Sequence, residues 1–422
     1  MVPALPSSGA EPDAAQPELR RAGSISSAVT ATVRLKAGHV QPVWVGHPWV
    51  YAQAVDRVEG GATAGDEVTV VDPRGNLLGR GYYSPRSAIV VRLLVRDAKT
   101  PLDAAFFRAR LERAVASRAS LGLPNEHTNG YRLVHAEGDG LPGLVVDRYG
   151  DVLSIQLGTI GMQQREALVH EALWTMLAPR AILDRTSVQT AKIEGFRPGS
   201  GTVRGAEVSA LEFVERSLRF RVPVELGQKT GFYFDQRLLR ARVEQLAAGA
   251  RVLDAYSYVG AFALAAARGG AREVVAVDES ALAVEVGSEC AAANGLGAHI
   301  HFVKGDARHA LADAKGKFDL VVADPPRLAP TRGAREQALV AYAKLAENAC
   351  RATRPGGLVI FCSCSAAVDL AALTRALAIG AMRANVQASV IERWFQGADH
   401  PVPAAFGEGL YLKALIARVD TR

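Results

Sequence analysis

Four aspartates and one cysteine in the C-terminal half of the chain stand where side chains do chemistry. Asp254 closes the apolar run RVLD, Asp278 closes EVVAVD, Asp306 follows IHFVKG, Asp324 follows FDLVVA, and Cys364 lies at the end of GLVIFCSC. These short, nearly continuous apolar runs alternate with helical stretches, which is the pattern of a parallel sheet covered on both faces. Ligands of such sheets bind beyond the carboxyl ends of the strands. All five residues are therefore expected along one edge. A single strand-end aspartate is more often a cap for the next helix, but four in step with four strands point to a bound ligand.

The loop after the first of these strands, DAYSYVGAF, carries only Gly260 where a dinucleotide site needs G-x-G-x-x-G to bring backbone amides to a diphosphate. Tyr256 and Tyr258 occupy the positions of close approach. A carboxylate-rich, glycine-poor loop better suits S-adenosylmethionine, which has no phosphate and carries a sulfonium cation. In that reading Asp254, Tyr256 and Gly260 line the cofactor, Asp278 accepts from the ribose hydroxyls, and Asp306 accepts from the adenine amino group. Asp324-Pro325-Pro326 is a rigid turn, since each proline fixes its own φ and restricts the residue before it. It holds one carboxylate over the cofactor's methyl group.

Cys364 faces the same cleft. A thiolate opposite a carboxyl suits methylation of a pyrimidine at C5: sulfur adds to C6, charge moves to C5, and a base removes the C5 proton before sulfur leaves. Asp324, as a protonated carboxyl, would offset the charge that builds at N3. Cys362 points to the same side of the strand as Cys364, but Cys364 lies farther out and is expected to be the nucleophile. Cys290 and Cys350 read as small buried residues on helices. The C-x-C pair has no partner pair for zinc, and no metal is expected.

The elements that position these groups come from the rest of the 422 residues, which are 49% hydrophobic with a formal charge of +6. The first 28 residues read as a disordered tail with no secretory signal, and no apolar run is long enough to span a membrane. A cytoplasmic protein is expected. Residues 29–100 read as a small β domain in which Arg34, Lys36, Arg80, Arg92 and Arg96 alternate with Trp44, Trp49, Tyr51, Tyr82 and Tyr83. That composition suits RNA contact, although burial is the commoner fate of such aromatics. Residues 101–210 read as an α+β domain, with helices near Leu102–Leu121 and Gln163–Leu177 and a linker at Gly195–Gly205. Residues 211–422 open with a hairpin turning at Glu215-Arg216 and continue into the Rossmann-like α/β domain. The last two apolar runs, ASVIERWF and LYLKALIARV, form an antiparallel edge.

Several segments together resemble the 23S ribosomal RNA cytosine-C5 methyltransferases of the RlmI-like family: HPWVY, GYYSP, EGDGLPGLVVDRYG, GQKTGFYFDQR, VLDAYSYVGAFA, DPP, CSCS and the terminal ADHPV with EGLYLKA. The resemblance covers nearly everything after the tail. It implies an N-terminal PUA-type RNA-binding domain, a central α+β domain and a class I methyltransferase. It also implies that Cys364 stands at the nucleophile position, that Asp235 and Gln236 approach the cofactor, and that Lys229, Tyr233, Arg237, Pro325 and Pro326 lie on the substrate side. The implied partner is ribosomal RNA, met free or early in large-subunit assembly, by a monomer or homodimer. Two other readings compete. An RNA nitrogen-methylating enzyme would follow its DPP-like turn with an aromatic residue, where this chain has Arg327. A non-catalytic assembly factor would not need all four strand-end carboxylates.

Overall fold

The computed structural model describes residues 31–422 apart from residues 228–229, 329–332 and 334. The expected N-terminal tail and Lys229 lie outside the described residues. Among the described residues three large sheets follow one another along the chain, with a two-stranded hairpin between the second and the third.

The first has six strands in the order Trp49–Tyr51, Ile89–Val95, Leu77–Tyr83, Glu67–Val71, Ala31–Leu35, Val55–Glu59. Alternation of buried and exposed residues sends Val33, Val50, Val68, Val70 and Val91 into its core. The second sheet has five strands, Gly201–Gly205, Ala181–Asp184, Val152–Leu157, Leu144–Tyr149 and Gly130–His135. Helices Ala104–Ser120 and Glu166–Leu177 contribute Phe107, Leu111, Val169 and Leu173 to its core. The segment expected to be a plain linker contains strand Gly201–Gly205, which pairs antiparallel with Ala181–Asp184. Its glycines mask a strand whose partner lies outside the local window.

A hairpin, Ala210–Glu215 with Leu218–Pro223, leads into the third sheet. Its turn is Arg216-Ser217, both at positive φ (49° and 66°), one residue later than expected. A two-residue turn of that kind matches the right-handed twist of the flanking strands.

The third sheet is α/β and has seven strands. Arg251–Ala255 is central, flanked by Glu273–Asp278 and then Ile300–Lys304 on one side, and by Phe318–Ala323 and Thr353–Ser363 on the other. These five run parallel. Lys413–Thr421 pairs antiparallel with Thr353–Ser363, and Val386–Phe395 forms the edge beyond it. The order places the switch point beside Arg251–Ala255, where a doubly wound sheet opens its ligand crevice. Helix Ala261–Arg268 packs on one face and helix Arg335–Ala352 on the other.

The aromatics of the first domain neither stack outward nor simply fill its core. Trp49 packs against Phe406 with ring centroids 4.5 Å apart, and its indole N–H donates to Glu137 at 2.7 Å. Tyr51 donates to Glu408 at 3.1 Å, and the His47 ring lies 3.2 Å from the same carboxylate. The HPWVY segment therefore fastens the N-terminal sheet to the C-terminal domain. The basic residues are largely committed as well. Arg92 pairs with Glu194 (3.2 Å), Arg80 with Glu67 (3.0 Å) and Arg34 with Glu59 (3.3 Å). Arg96 donates to the carbonyls of Val43, His47 and Leu78. Trp44, at 75% exposure, is the aromatic left for a partner.

Replacing Trp49 with Ala removes both its ring contact and its hydrogen bond. A loss of about 2–4 kcal/mol in urea denaturation is expected, together with faster tryptic cleavage at the exposed Lys99. Unchanged cleavage would show that the domains are fastened elsewhere.

Candidate active site

Ladder register keeps the strand ends level. Asp254 lies opposite Ala276 and Val322, and Ala323 opposite Phe361. Asp254 is buried, and one of its carboxylate oxygens accepts the Ala263 N–H at 3.0 Å, near the start of helix Ala261–Arg268. The other oxygen has no donor among the described residues. Burial, reinforced by the charges of Asp324 and Asp278, lifts this carboxyl to about 8.

The loop between Asp254 and the helix is bent tightly. Tyr256, Tyr258 and Gly260 all have positive φ (67°, 51° and 71°). For the two tyrosines this conformation costs of order 1 kcal/mol each. Tyr258 is held in place by its N–H donating to Asp278 (2.8 Å) and its hydroxyl donating to the Gly231 carbonyl (3.0 Å). At Gly260 a Cβ would come within 2.6 Å of the Phe302 ring, so glycine is required there twice over.

Asp278 accepts the Tyr258 N–H on one oxygen and the Ser280 N–H on the other at 2.9 Å. Asp306 differs from what was expected. It caps helix Ala307–Asp313 by accepting the Arg308 N–H at 2.8 Å and pairs with the Arg308 guanidinium at 2.6 Å. The hydrogen bond from Arg308 holds its carboxyl down at about 2. Its acceptor capacity is shared with that arginine, and the capping role is the one the structure displays.

Beyond the fourth strand, Asp324 accepts from the side-chain amide of Gln236. The Gln236 carbonyl oxygen is buried with no donor among the described residues. Asp235 accepts the Tyr411 hydroxyl at 2.6 Å. Tyr233 stands edge-on to Tyr258, with centroids 5.7 Å apart at 84°. Burial, then the charges of Tyr258, Asp324, Asp235 and Cys364, push its phenol above the ordinary range. Pro325 is buried and Pro326 exposed.

Of the four cysteines, Cys290, Cys350 and Cys362 are buried and Cys364 is half-buried. Burial pushes the Cys362 thiol well above its usual value. The turn that carries Cys364 is pinned on both sides. Ser363 and Ser365 are fully buried, the Ser363 hydroxyl donates to the Tyr342 oxygen at 2.9 Å, and the Ser365 N–H donates to the Ser363 hydroxyl at 3.3 Å.

Arg237, expected on the substrate side, is buried and committed to structure. Its guanidinium pairs with Asp399 at 2.7 Å and donates to the Gly130 carbonyl at 3.1 Å. The segment before it is clamped to the central sheet. The Thr230 hydroxyl donates to Asp147, which is itself paired with Arg132, and the Thr230 carbonyl accepts the Ser154 hydroxyl at 2.7 Å. At Gly231 a Cβ would meet the Leu211 side chain at 2.3 Å.

Between the clamped loop and the central sheet lies a cavity of about 200 Å3, lined by Arg132, His135, Gln156, Tyr233, Asp235 and Tyr411 among others, and it contains none of the strand-end residues. A larger cleft of about 450 Å3, between the hairpin and helix Ala281–Ala293, contains none of the strand-end residues. Sequence reasoning assigned no role to Asp399, Tyr411 or Lys413. Their one signal was membership of the terminal ADHPV and EGLYLKA segments.

Two buried acceptors without donors, on Asp254 and Gln236, sit in a carboxylate-rich crevice. That donor set fits a cationic ligand bearing N–H groups, such as S-adenosylmethionine. Residues 165–405 match the family of S-adenosylmethionine-dependent methyltransferases, and residues 33–96 match the PUA-like domain family. Ribosomal RNA large subunit methyltransferase I of Shewanella denitrificans is 38% identical over 394 residues, covering 92% of this chain and 99% of that relative. The protein of the same name from Klebsiella pneumoniae is 36% identical over 378 residues, covering 88% of this chain and 94% of its own. Among solved structures, a methyltransferase complexed with SAH superposes with a TM-score of 0.80 at 20% identity, over 92% of this chain and 99% of that one. A Streptococcus mutans SAM-dependent methyltransferase gives 0.78 at 19% identity, with the same coverage. At these identities the two structures speak for the fold alone. Among the described residues no helix is long and apolar enough to cross a membrane, and no group of three or more His, Cys, Asp or Glu is arranged to hold a metal.

Asp254→Asn separates binding from stability. A carboxyl raised to about 8 in the fold, against about 4 when unfolded, makes the ligand-free protein less stable as pH rises between those values. The variant is expected to gain thermal stability over wild type at pH 8 and much less at pH 5. It is also expected to bind S-adenosylmethionine about 10- to 100-fold more weakly in calorimetric titration. Equal melting curves at both pH values would contradict the burial argument.

Arg237→Met leaves Asp399 buried without its guanidinium partner, and a loss of about 3–5 kcal/mol is expected by urea denaturation. Although burial opposes it, the His400 contact and the Arg237 charge hold the Asp399 carboxyl well below its usual range. Wild-type stability from this group is therefore lost as pH falls below about 4, a loss the variant, which keeps the His400 contact, should show to a smaller extent.

Proposed function

The chain belongs to the ribosomal RNA large subunit methyltransferase I family, within the S-adenosylmethionine-dependent methyltransferases, and on that premise we propose that it forms 5-methylcytidine in 23S ribosomal RNA through a Cys364 thiolate adduct. The observation that carries this reading is the placing of the cysteines. Cys364 alone of the four is not sealed in a core, and the charges of Cys364 and Asp324 act together on Tyr233.

The chemistry follows from what C5 lacks. This carbon is a poor nucleophile until sulfur bonds to C6 and the C5–C6 π pair is released toward C5 and N3. Asp324, hydrogen-bonded to Gln236, offsets the negative charge building at N3 as a protonated carboxyl that donates to it. S-adenosylmethionine, when bound, supplies a methyl group made electrophilic by its sulfonium. Asp254, Asp278, Gly260 and Tyr256 form its side of the crevice, with Gln236 and Asp235 closing over it. Loss of the C5 proton to a base then expels the Cys364 thiolate and restores the double bond. Tyr233 and the turn Pro325-Pro326 bound the place for the flipped base, and Tyr233 also lines the adjoining cavity with Arg132, His135 and Tyr411. The RNA is met free or early in large-subunit assembly, in the cytoplasm.

RNA containing 5-fluorocytidine tests the nucleophile, because fluorine blocks the elimination step. Wild type is expected to form a covalent protein–RNA adduct by denaturing electrophoresis, Cys362→Ala to retain it and Cys364→Ala to lose it. Asp324→Asn should lower kcat by about 10²-fold. Mass-spectrometric mapping of 5-methylcytidine in large-subunit RNA, with and without the protein, reads the product. Methylation that survives Cys364→Ala would instead identify a nitrogen-methylating enzyme.

A further inference from the structure

Lys413 opens the returning strand Lys413–Thr421, directly across from Ser363 in the ladder. It is only 3% exposed, and its Nζ donates to the Ser365 carbonyl at 2.9 Å. The ammonium is thereby tied to the peptide turn that carries Cys364, yet nothing in the chemistry above uses it. A buried lysine is costly unless a negative group answers it. The hydrogen-bond partner found for it is a neutral carbonyl, which offsets only part of that cost.

Every charge around the sulfur bears on what answers it. The turn after the fourth strand brings Asp324, whose carboxylate, when ionised, opposes a thiolate at the neighbouring Cys362, and the exposed Arg327, whose charge opposes the ammonium of Lys413. Tyr233 and, from helix Arg335–Ala352, Tyr342 face the Cys364 sulfur as neutral phenols, each raised by burial. Asp369, the cap of helix Leu370–Arg383, acts on Lys413 from the far side but is itself exposed. Water screens Arg327 and Asp369 more than it screens a buried ammonium. Burial draws the Lys413 amine down to about 8, and the charge of Cys364 is the first of the influences pulling it back up.

We infer that Lys413 is the positioning residue that holds Cys364 as a thiolate, its ammonium tethered to the carbonyl of Ser365, the residue next to Cys364. The inference rests on the reading of Cys364 as nucleophile and deepens it. The balance is simple. The thiol proton passes to the neutral amine, giving an ammonium–thiolate pair with no net change in charge. Nζ keeps that proton while the S–C6 bond exists, and sulfur returns as the thiolate when the bond breaks.

Alkylation of Cys364 by iodoacetamide, followed by peptide mass spectrometry across pH in the full-length protein, reads the thiolate directly. Wild type is expected to titrate clearly below the ordinary thiol value of about 8.5. Lys413→Met and Lys413→Gln are expected to shift that titration upward and slow alkylation at pH 7 by about tenfold or more, with Lys413→Arg close to wild type. Glutamine keeps a donor for the Ser365 carbonyl without the charge. A wild-type profile in Lys413→Gln would therefore reduce Lys413 to a tether and overturn the inference. An ordinary or raised titration in wild type overturns it too, even if no variant folds. The fluorocytidine adduct distinguishes the two failures: an adduct with an ordinary thiol titration sinks only the role of Lys413, whereas a depressed titration without an adduct sinks the carbon-methylating reading.

Discussion

The site depends on a clamp of buried ion pairs that holds one loop over the ends of a parallel sheet. Arg237 is paired with Asp399, and Thr230 is joined to Asp147 and Ser154 of the central sheet. Between these anchors lie Tyr233, Asp235 and Gln236, the residues that reach Asp324 and Tyr411. A buried ion pair adds little net stability because both charges lose water. Its value lies in geometry: a displaced Arg237 would leave Asp399 with only the His400 ring and the Arg132 N–H, so the loop has one low-energy position. Preorganisation of this kind is what electrostatic catalysis requires.

The crevice itself is built at a local cost. Two tyrosines hold left-handed backbone, and Asp254 keeps a carboxylate oxygen buried without a donor. The large alanine- and valine-rich cores on both faces of the sheet supply the stability that tolerates this. A cationic ligand that answers Asp254 relieves the strain, which couples binding to stability.

The N-terminal domain joins this arrangement through aromatic and carboxylate contacts rather than through a free basic face. Trp49, Tyr51 and His47 reach Phe406, Glu137 and Glu408. Glu408 belongs to the same return segment that carries Asp399, Tyr411 and Lys413. The connection between the last two strands thus touches the nucleophile turn, the clamped loop and the PUA-like domain together, so the two domains' relative placement and the site's geometry share one support.

Much of this was legible in the residues. Period and composition marked the five parallel strands, and the switch point followed from their order. Local chemistry placed Asp254, Asp278, Asp324 and Cys364 at the strand ends, and position along the strand favoured Cys364 over Cys362. What the sequence could not decide was which groups meet across long separations. Arg237 stands on the substrate side by resemblance until Asp399 arrives from the far end of the chain. Asp306 reads as one more ligand carboxylate until Arg308 turns back onto it. Lys413 is an ordinary residue of an apolar strand until the antiparallel return sets it beside the cysteine turn. Periodicity encodes the face and the end of an element, which depend on near neighbours alone. The partner of a buried charge is settled only when distant segments share the same water-free volume.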